Sequence, residues 1–232
     1  ANTYPSSEKL YDWELGYQYT APRLSLGVNL YYMKYKDQLV PTGMVNDDSN
    51  ALNTNVPDSY RRGVELSASW RATGWFTVGA NATFSQNRIE NYVDALKDSP
   101  TYGKELGDMT IAYSPDVIAN AFLNFHHRGF EAVFHTQHVG KQYFTNNEND
   151  ALSLDAYCVT NLNLAYTFRT RSARSVRLGL LINNLFNAEY ESNGYGYSYM
   201  DTWSGPAPVR IDEAYYFPQA PLNVLANVTV KF

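Results

Sequence analysis

Alternation of apolar and polar residues with a period of two recurs throughout this 232-residue chain, and helical periodicity is nearly absent. Successive side chains of a strand point to opposite faces, so each alternating segment carries one greasy face and one wet face. The last segment shows it plainly. Counting back by twos from Phe232 gives Val230, Val228, Ala226, Val224 and Leu222, while Lys231, Thr229, Asn227 and Asn223 fill the other register. Leu225 breaks the polar register. A run of about ten such residues closed by an aromatic has the length and pattern of a membrane-crossing β-strand. One strand of a soluble sandwich reads the same way, so the remaining segments decide.

Nine segments of strand length follow one another. In the first, Glu8 to Thr20, Tyr11, Trp13, Leu15, Tyr17 and Tyr19 share a face. In the second, Leu24, Leu26, Val28, Leu30 and Tyr32 oppose Ser25, Gly27, Asn29 and Tyr31. The third (60–71) sets Val64, Leu66, Ala68 and Trp70 against Gly63, Glu65, Ser67 and Ser69; the fourth sets Phe76, Val78, Ala80, Ala82 and Phe84 against Thr77, Gly79, Asn81, Thr83 and Ser85. Segments near 117–126, 130–139, 161–168, 176–183 and the terminal one complete the series, the sixth with Val133 and Val139 in its polar register. The wet register holds Gly, Ser, Thr and Asn. Those residues suit a watery lumen, whereas a soluble sandwich needs bulky apolar residues inside and polar ones outside.

The links alternate in length. Short ones fall at 20–23, 72–74, 127–129 and 169–175; long ones cover 37–58, 92–115, 144–156 and 190–218. Antiparallel neighbours joined this way gather tight turns at one end and long loops at the other, as outer-membrane barrels do with periplasmic turns and extracellular loops. The expected fold is therefore all-β, an antiparallel transmembrane β-barrel with its C-terminus in the periplasm. Nine strands are odd where bacterial barrels are even. Residues 1–232 are expected to be the C-terminal portion of a larger barrel, unless 103–115 hides a tenth strand.

Composition narrows the alternatives. No stretch of eighteen apolar residues exists, so no transmembrane helix is expected, and mean hydropathy is negative, as averaging over alternating strands requires. The net charge of −5 gives no footprint for nucleic acid. Cys158 is the one cysteine and has no partner for an internal disulfide. Nothing like a secretory leader precedes the first segment, so the sequence is read as mature or as a piece of something longer. No Gly-x-Ser-x-Gly, HExxH or phosphate-cradling loop occurs, and no enzyme activity is expected; His135 is the one tempting lumen histidine. His126 and His127 are adjacent, and His135 and His138 are three apart, so each pair points to opposite faces of a strand. Neither a metal site nor a cofactor is expected.

Four runs of residues resemble a known family. Leu181-Ile182-Asn183-Asn184-Leu185-Phe186-Asn187-Ala188-Glu189-Tyr190-Glu191-Ser192-Asn193-Gly194-Tyr195, then Tyr215-Tyr216-Phe217-Pro218-Gln219-Ala220-Pro221 and the terminal Val228-Thr229-Val230-Lys231-Phe232, resemble the C-terminal end of TonB-dependent outer-membrane receptors, especially those of Bacteroidetes. Upstream, Tyr60-Arg61-Arg62-Gly63-Val64-Glu65-Leu66-Ser67 looks like that family's Arg-x-Gly-Val-Glu-Leu strand. The resemblance implies a plugged barrel of the 22-strand class, of which these would be the last nine strands. It implies energy-coupled uptake of a scarce nutrient in the outer membrane of a Gram-negative bacterium: an iron chelate (siderophore or haem) or cobalamin. The plug and the TonB-binding segment are not in this sequence. Implied partners are the bilayer and its lipopolysaccharide, the remaining strands and plug, the TonB complex, a small nutrient ligand and, as a further candidate, a surface lipoprotein. It also implies that Phe232, with Val230 and Val228, is the signal read by the barrel-assembly machinery.

Residue roles follow from position. Tyr11, Trp13, Tyr32, Phe84 and Tyr190 are expected in an outer aromatic girdle, and Trp70, Phe76, Phe125, Phe130, Phe168 and Phe232 in an inner one, where one ring edge is wet and the other apolar. Asn183, Asn184 and Asn187 are expected to satisfy backbone groups where a strand ends. Arg61 and Glu65 are expected in a lumen charge ladder. Ligand contacts are expected from the last long loop, through Tyr195, Tyr197, Tyr199 and Trp203, and from the upper lumen at Tyr31, because aromatic clusters give large contact area at low entropic cost. Packing of those rings on one another is the alternative reading. Two other functions stay open: a passive porin or adhesin barrel, and a soluble Tyr-rich binding protein.

Overall fold

A computed structural model describes residues 5–45 and 51–232. In chain order its strands are β1 (Lys9–Thr20), β2 (Leu24–Val45), β3 (Ala51–Arg71), β4 (Phe76–Ile89), β5 (Met109–Thr110), β6 (Val117–His127), β7 (Phe130–Val139), β8 (Gln142–Tyr143), β9 (Ser153–Leu154), β10 (Tyr157–Phe168), β11 (Ser175–Asn183), β12 (Glu191–Asp201), β13 (Val209–Pro218) and β14 (Asn223–Lys231), with one 3-10 turn at Asp150–Leu152. Nine of them form a single antiparallel sheet in the order β1-β2-β3-β4-β6-β7-β10-β11-β14, and β5 adds two residues beside β4. Each of the nine alternating segments is one strand of that sheet. The 103–115 stretch supplies only β5.

Register carries the alternation across the sheet. Leu30 pairs with Leu15 and Val64, Val64 with Phe84, and Phe84 with Val117, so the apolar rows of neighbouring strands share one face. The polar rows share the other, as in Gly27 against Ser67 and Asn81 against Asn120. Loop residues cover this polar face: Arg61 Nη1 donates to Ser114 Oγ at 2.9 Å, and Ser85 Oγ to the Pro115 carbonyl at 3.1 Å. It is called the inner face below. No second sheet covers the apolar outer face among the described residues, and none of Leu24, Val64, Val78, Leu180 and Val228 is buried.

The buried cores lie in the connections. One cluster joins Val40, Val56, Ile89, Tyr92 and Ile111; a second joins Phe144, Leu152 and Leu154. A sheet whose greasy face stays open while its loops hold the buried core is built for an apolar surround on that face. Aromatic rings mark two levels of it. Near the long-loop end Tyr11, Trp13, Tyr32 and Tyr60 run across three strands with centroids 5.8–6.3 Å apart. Toward the tight turns Trp75 lies 5.1 Å from Phe125 and 6.1 Å from Phe76, and Phe125 lies 5.9 Å from Phe130. Trp75 sits in a turn, where alternation gives no signal, and was not anticipated. Along β4, Phe76 to Phe84 spans about 27 Å, which at the roughly 40° tilt of a barrel strand rises through about 20 Å of an apolar band about 25 Å tall.

Two long links are strands. β2 and β3 continue as a hairpin above the aromatic level, and most of 190–218 is the β12–β13 hairpin. Outside an apolar surround nothing requires the alternation, so these ladders look like loops in sequence. Their backbone pairing continues the antiparallel ladder, with one register shift in each, between Pro41 and Val45 and between Glu191 and Asn193.

The tight turn between β6 and β7 places Arg128 at φ 49° and Gly129 at φ 85°, the two positive angles of a type I′ hairpin turn. A Cβ on Gly129 would lie 2.3 Å from the Thr167 carbonyl oxygen. Gly129→Ala is therefore expected to destabilise the protein by about 2 kcal/mol or more, through strain and displacement of β10. Denaturant titration of the protein measures it; a change below about 0.5 kcal/mol contradicts the geometry.

Candidate functional site

The inner face presents polar groups held by one another. Asn29 Nδ2 donates to Glu14 Oε2 and Glu65 Oε2, both at 3.2 Å, linking β1, β2 and β3. Arg61 turns instead to Asn87 Oδ1 (3.4 Å) and Ser114 Oγ. Neither Arg61 nor Glu65 has a charged partner among the described residues, so where a charge ladder was expected these strands carry a polar network of Glu14, Asn29, Glu65, Arg61, Asn87 and Ser114. Lower down, Arg177 grips Glu131 with two bonds of 2.7 Å. His135 faces the same side, between Phe122 and Asn161.

Tyr31 lies over Gly63, where a Cβ would stand 2.7 Å from its hydroxyl and 2.4 Å from the Phe84 carbonyl oxygen. Its ring fills the gap left by the missing side chain on the neighbouring strand. Together with Glu14, Met33, Arg61, Glu65 and Tyr113 it lines a cavity of about 380 Å³ at the long-loop end of the inner face.

The loops above interlock through named groups. Asn146, fully buried, accepts from the Ala112 N–H at 2.7 Å and donates to the Pro41 carbonyl at 2.6 Å, tying three connections together. Glu148 accepts from the Thr110 N–H at 3.0 Å and pairs with Arg88. Burial opposes its ionisation, but those bonds and the Arg88 charge hold its carboxyl below the ordinary range. Burial pushes the Tyr92 hydroxyl up to about 12, with the Asp94 charge adding to it. Of these, only the polar or apolar residue type was legible in sequence.

The β12–β13 hairpin leans over from β11 and β14 to meet β2, far along the sheet. One of its faces carries Gly194 and Gly196, and a Cβ at either would lie within 2.9 Å of Phe144. The small residues let the hairpin rest on that ring, and Tyr113 Oη reaches the Gly194 carbonyl at 3.4 Å. Its other face is aromatic. Tyr195 stacks on Tyr215 at 4.9 Å, and Tyr197 lies 6.4 Å from Tyr215 and from Tyr199.

Three of these hydroxyls donate to one carboxylate, Glu213: Tyr197 at 2.6 Å, Tyr215 at 2.9 Å and Tyr199 at 3.1 Å. The bonds, that from Tyr197 foremost, hold the Glu213 carboxyl below its ordinary value and push all three phenols up. Because the folded carboxyl is the stronger acid, its support for the hairpin is complete above about pH 4.5 and is lost as pH falls through the lower folded value. Hydrogen exchange in β12 and β13 is expected to quicken between pH 4.5 and 3, after correction for intrinsic rates, and to do so less in Glu213→Gln. An equal acceleration in both proteins contradicts the assignment.

Four of the residues singled out in sequence thus lie on this hairpin. Tyr195, Tyr197 and Tyr199 share one face, Trp203 stands 93% exposed at the tip, and Asp201 caps the tip through the Trp203 and Ser204 N–H groups. Tyr31 is apart from them, in the cavity of the inner face. Glu213 and Tyr215 complete the aromatic face and were not singled out; pairing across a hairpin brings them there. Val228 and Val230 point from the outer face of β14, and Phe232 follows that strand, 93% exposed. Tyr190 stacks on Tyr157 at 4.6 Å, beside the loops.

Comparison with known proteins agrees with this architecture. The profile of a family described as TonB dependent receptor-like, beta-barrel, matches residues 2–185. Among solved structures, the ferric yersiniabactin uptake receptor FyuA from Yersinia pestis superposes with a TM-score of 0.67 at 20% identity, over 97% of this chain and 30% of that one. The copper transporter OprC gives 0.64 at 20% identity, over 97% and 31%. The closed form of the ferric-catecholate import receptor Fiu from E. coli K12 gives 0.63 at 18% identity, over 95% and 27%. The chain therefore spans about a third of the length of the solved structures it matches. With the family profile covering most of its length, and its single open sheet matching their barrels, the chain belongs to the TonB-dependent receptor family, as part of the β-barrel.

Proposed function

We propose that these nine strands are the C-terminal part of a plugged 22-strand barrel that imports a scarce nutrient across the outer membrane of a Gram-negative bacterium, at the expense of energy delivered by TonB. One observation carries the reading: a single sheet with an uncovered apolar face and a polar face roofed by interlocked loops, in a chain of this family. The two aromatic levels are the membrane girdles, Trp13, Tyr32 and Phe84 toward the outside and Trp70, Phe76 and Phe168 toward the periplasm. The tight turns are periplasmic and the roof extracellular. Val228, Val230 and Phe232 form the assembly signal.

The nutrient meets the β12–β13 tyrosines and Trp203 first, and the cavity at Tyr31 beneath. An iron chelate is the leading class, in keeping with the ferric-siderophore receptors among the neighbours. The plug and the remaining strands complete the lumen around Glu14 and Glu65.

Deletion of the whole gene tests the function. Uptake of the labelled iron chelate under iron limitation is expected to fall at least tenfold, and to fall equally when TonB is removed. Uptake that survives loss of TonB but not of the gene turns the reading to a passive porin. Uptake untouched by either overturns import of that nutrient.

A further inference from the structure

We propose that the tight-turn end of the sheet binds an anionic phospholipid, whose phosphate is held by Arg169, Arg174 and Lys231. The inference rests on the reading that this end meets the inner leaflet of the membrane, and it names the class of lipid selected there.

Charge is separated along the strands. The chain is acidic overall, with 23 Asp and Glu against 18 Lys and Arg. Yet within five residues of the tight turns at 20–23, 72–74, 127–129 and 169–175, and over 227–232, there is only one side-chain carboxylate, Glu131. Arg177 already grips it with two bonds. Arg23, Arg71, Arg128, Arg169, Arg171 and Arg174 stand at the same turns, and Lys231 ends β14. All seven are exposed, and none forms an ion pair among the described residues. Like charges crowded at one end repel one another, and an anionic partner relieves that repulsion.

Three of the cations meet at one place. The β10–β11 turn and the end of β14 enclose an open cavity of about 690 Å³, with Arg169, Arg174, Lys231, Phe168 and Phe232 among its walls. Pairing of Ser175 with Lys231 brings the lysine beside the turn. Phe168, Val176 and Val230 pair in one row, the last apolar row of the outer face, so the cations begin where the greasy surface stops. A phospholipid carries its phosphate at the same boundary, just beyond its apolar chains. Each arginine fork fits two phosphate oxygens, and the lysine adds a point charge. A soluble phosphate gains nothing from the Phe168 row. A zwitterionic lipid brings an ammonium group that the arginines repel. Net negative charge on the lipid is therefore what this rim selects.

The test is native mass spectrometry of the intact receptor in a polyoxyethylene detergent, titrated with dioleoylphosphatidylglycerol or dioleoylphosphatidylcholine. A lysine or arginine near an anionic surface strengthens association about fivefold, so phosphatidylglycerol is expected to bind about tenfold more tightly. Raising ammonium acetate from about 50 to about 500 mM is expected to erase most of that preference, a comparison that needs no variant. Arg169→Gln with Arg174→Gln is expected to abolish it, and Arg169→Lys with Arg174→Lys to keep most of it. The turn itself is closed by the Ala173 N–H donating to Thr170 Oγ1 at 2.9 Å, a bond that uses neither arginine. Lys97→Gln with Lys104→Gln removes equal charge from the 92–115 connection and is expected to change nothing. Equal binding of the two lipids, or a preference untouched by the paired glutamines, overturns the proposal. So does displacement of the lipid by a tenfold excess of glycerophosphoglycerol, which marks a soluble anion, or by poly-L-glutamate, which marks an acidic protein. The titration needs no TonB and no transport. A receptor that selects phosphatidylglycerol as described, yet whose deletion leaves uptake intact, keeps the lipid site and loses the import reading; the opposite pattern does the reverse.

Discussion

Asn184→Ala is expected to be the most damaging single substitution in the membrane-proximal part of the protein. Asn184 is almost wholly buried at φ 51°, immediately after β11. Its amide donates to the Ala188 carbonyl at 2.9 Å and the Ala220 carbonyl at 3.2 Å, and its Oδ1 accepts from the Ala188 N–H at 2.8 Å. One side chain thus closes the turn that leaves β11 and fastens it to the segment entering β14. Alanine loses three bonds of about 1 kcal/mol each and adds about 1 kcal/mol of left-handed strain, so a loss of about 3–4 kcal/mol follows. Asn184→Gly removes the strain but not the lost bonds, and belongs between alanine and the parent. Denaturant titration of the intact receptor in detergent separates the three. An alanine variant within about 1 kcal/mol of the parent contradicts this account of the turn.

Phe144→Ala is expected to release the roof while leaving the sheet intact. Phe144 is 2% exposed, lies 5.8 Å from both Tyr113 and Tyr216, and fills the space that Gly194 and Gly196 leave open. Truncating a buried phenylalanine costs about 3–5 kcal/mol. Here the loss falls on a contact between connections, so it appears as local opening. Amides of β12 and β13 are expected to exchange about a hundredfold faster, at about 1.4 kcal/mol per tenfold, while those of β3, β4 and β6 keep their protection. Acceleration spread evenly over the sheet contradicts a roof that opens by itself.

Most of the spanning sheet was legible because lipid and water impose opposite demands on alternate residues. Leu24 to Tyr32 and Phe76 to Phe84 meet both demands, and each of the nine segments read from that pattern is a strand, although β2 and β3 run on through much of the 37–58 stretch that reads as a link. Asn184 and Asn187 were legible for another reason, since asparagine tolerates positive φ and bonds nearby backbone, whereas Asn183 donates to the Asn223 side chain instead. Asn184 and Asn187 do adopt it, at 51° and 53°.

The roof was not legible. Gln38 and Ser59 share a buried 2.5 Å bond within what reads as loop, and Asn146, its central tie, looks no different in sequence from its neighbour Asn147. That the ring of Tyr31 lies over Gly63 was not legible either, because the two meet only across paired strands.

By itself, the sequence determined which faces of the strands are greasy, how the strands follow one another, and which end carries the short turns. Those features are set by neighbours one or two residues apart, whose alternation records the surroundings directly. Only the tertiary structure decided that β12–β13 crosses to β2, that Phe144 sits under its glycines, and that three phenols converge on Glu213. Apart from Tyr215 and Glu213, two positions apart on β13, these contacts join residues at least 14 positions apart, and no local period encodes such a meeting.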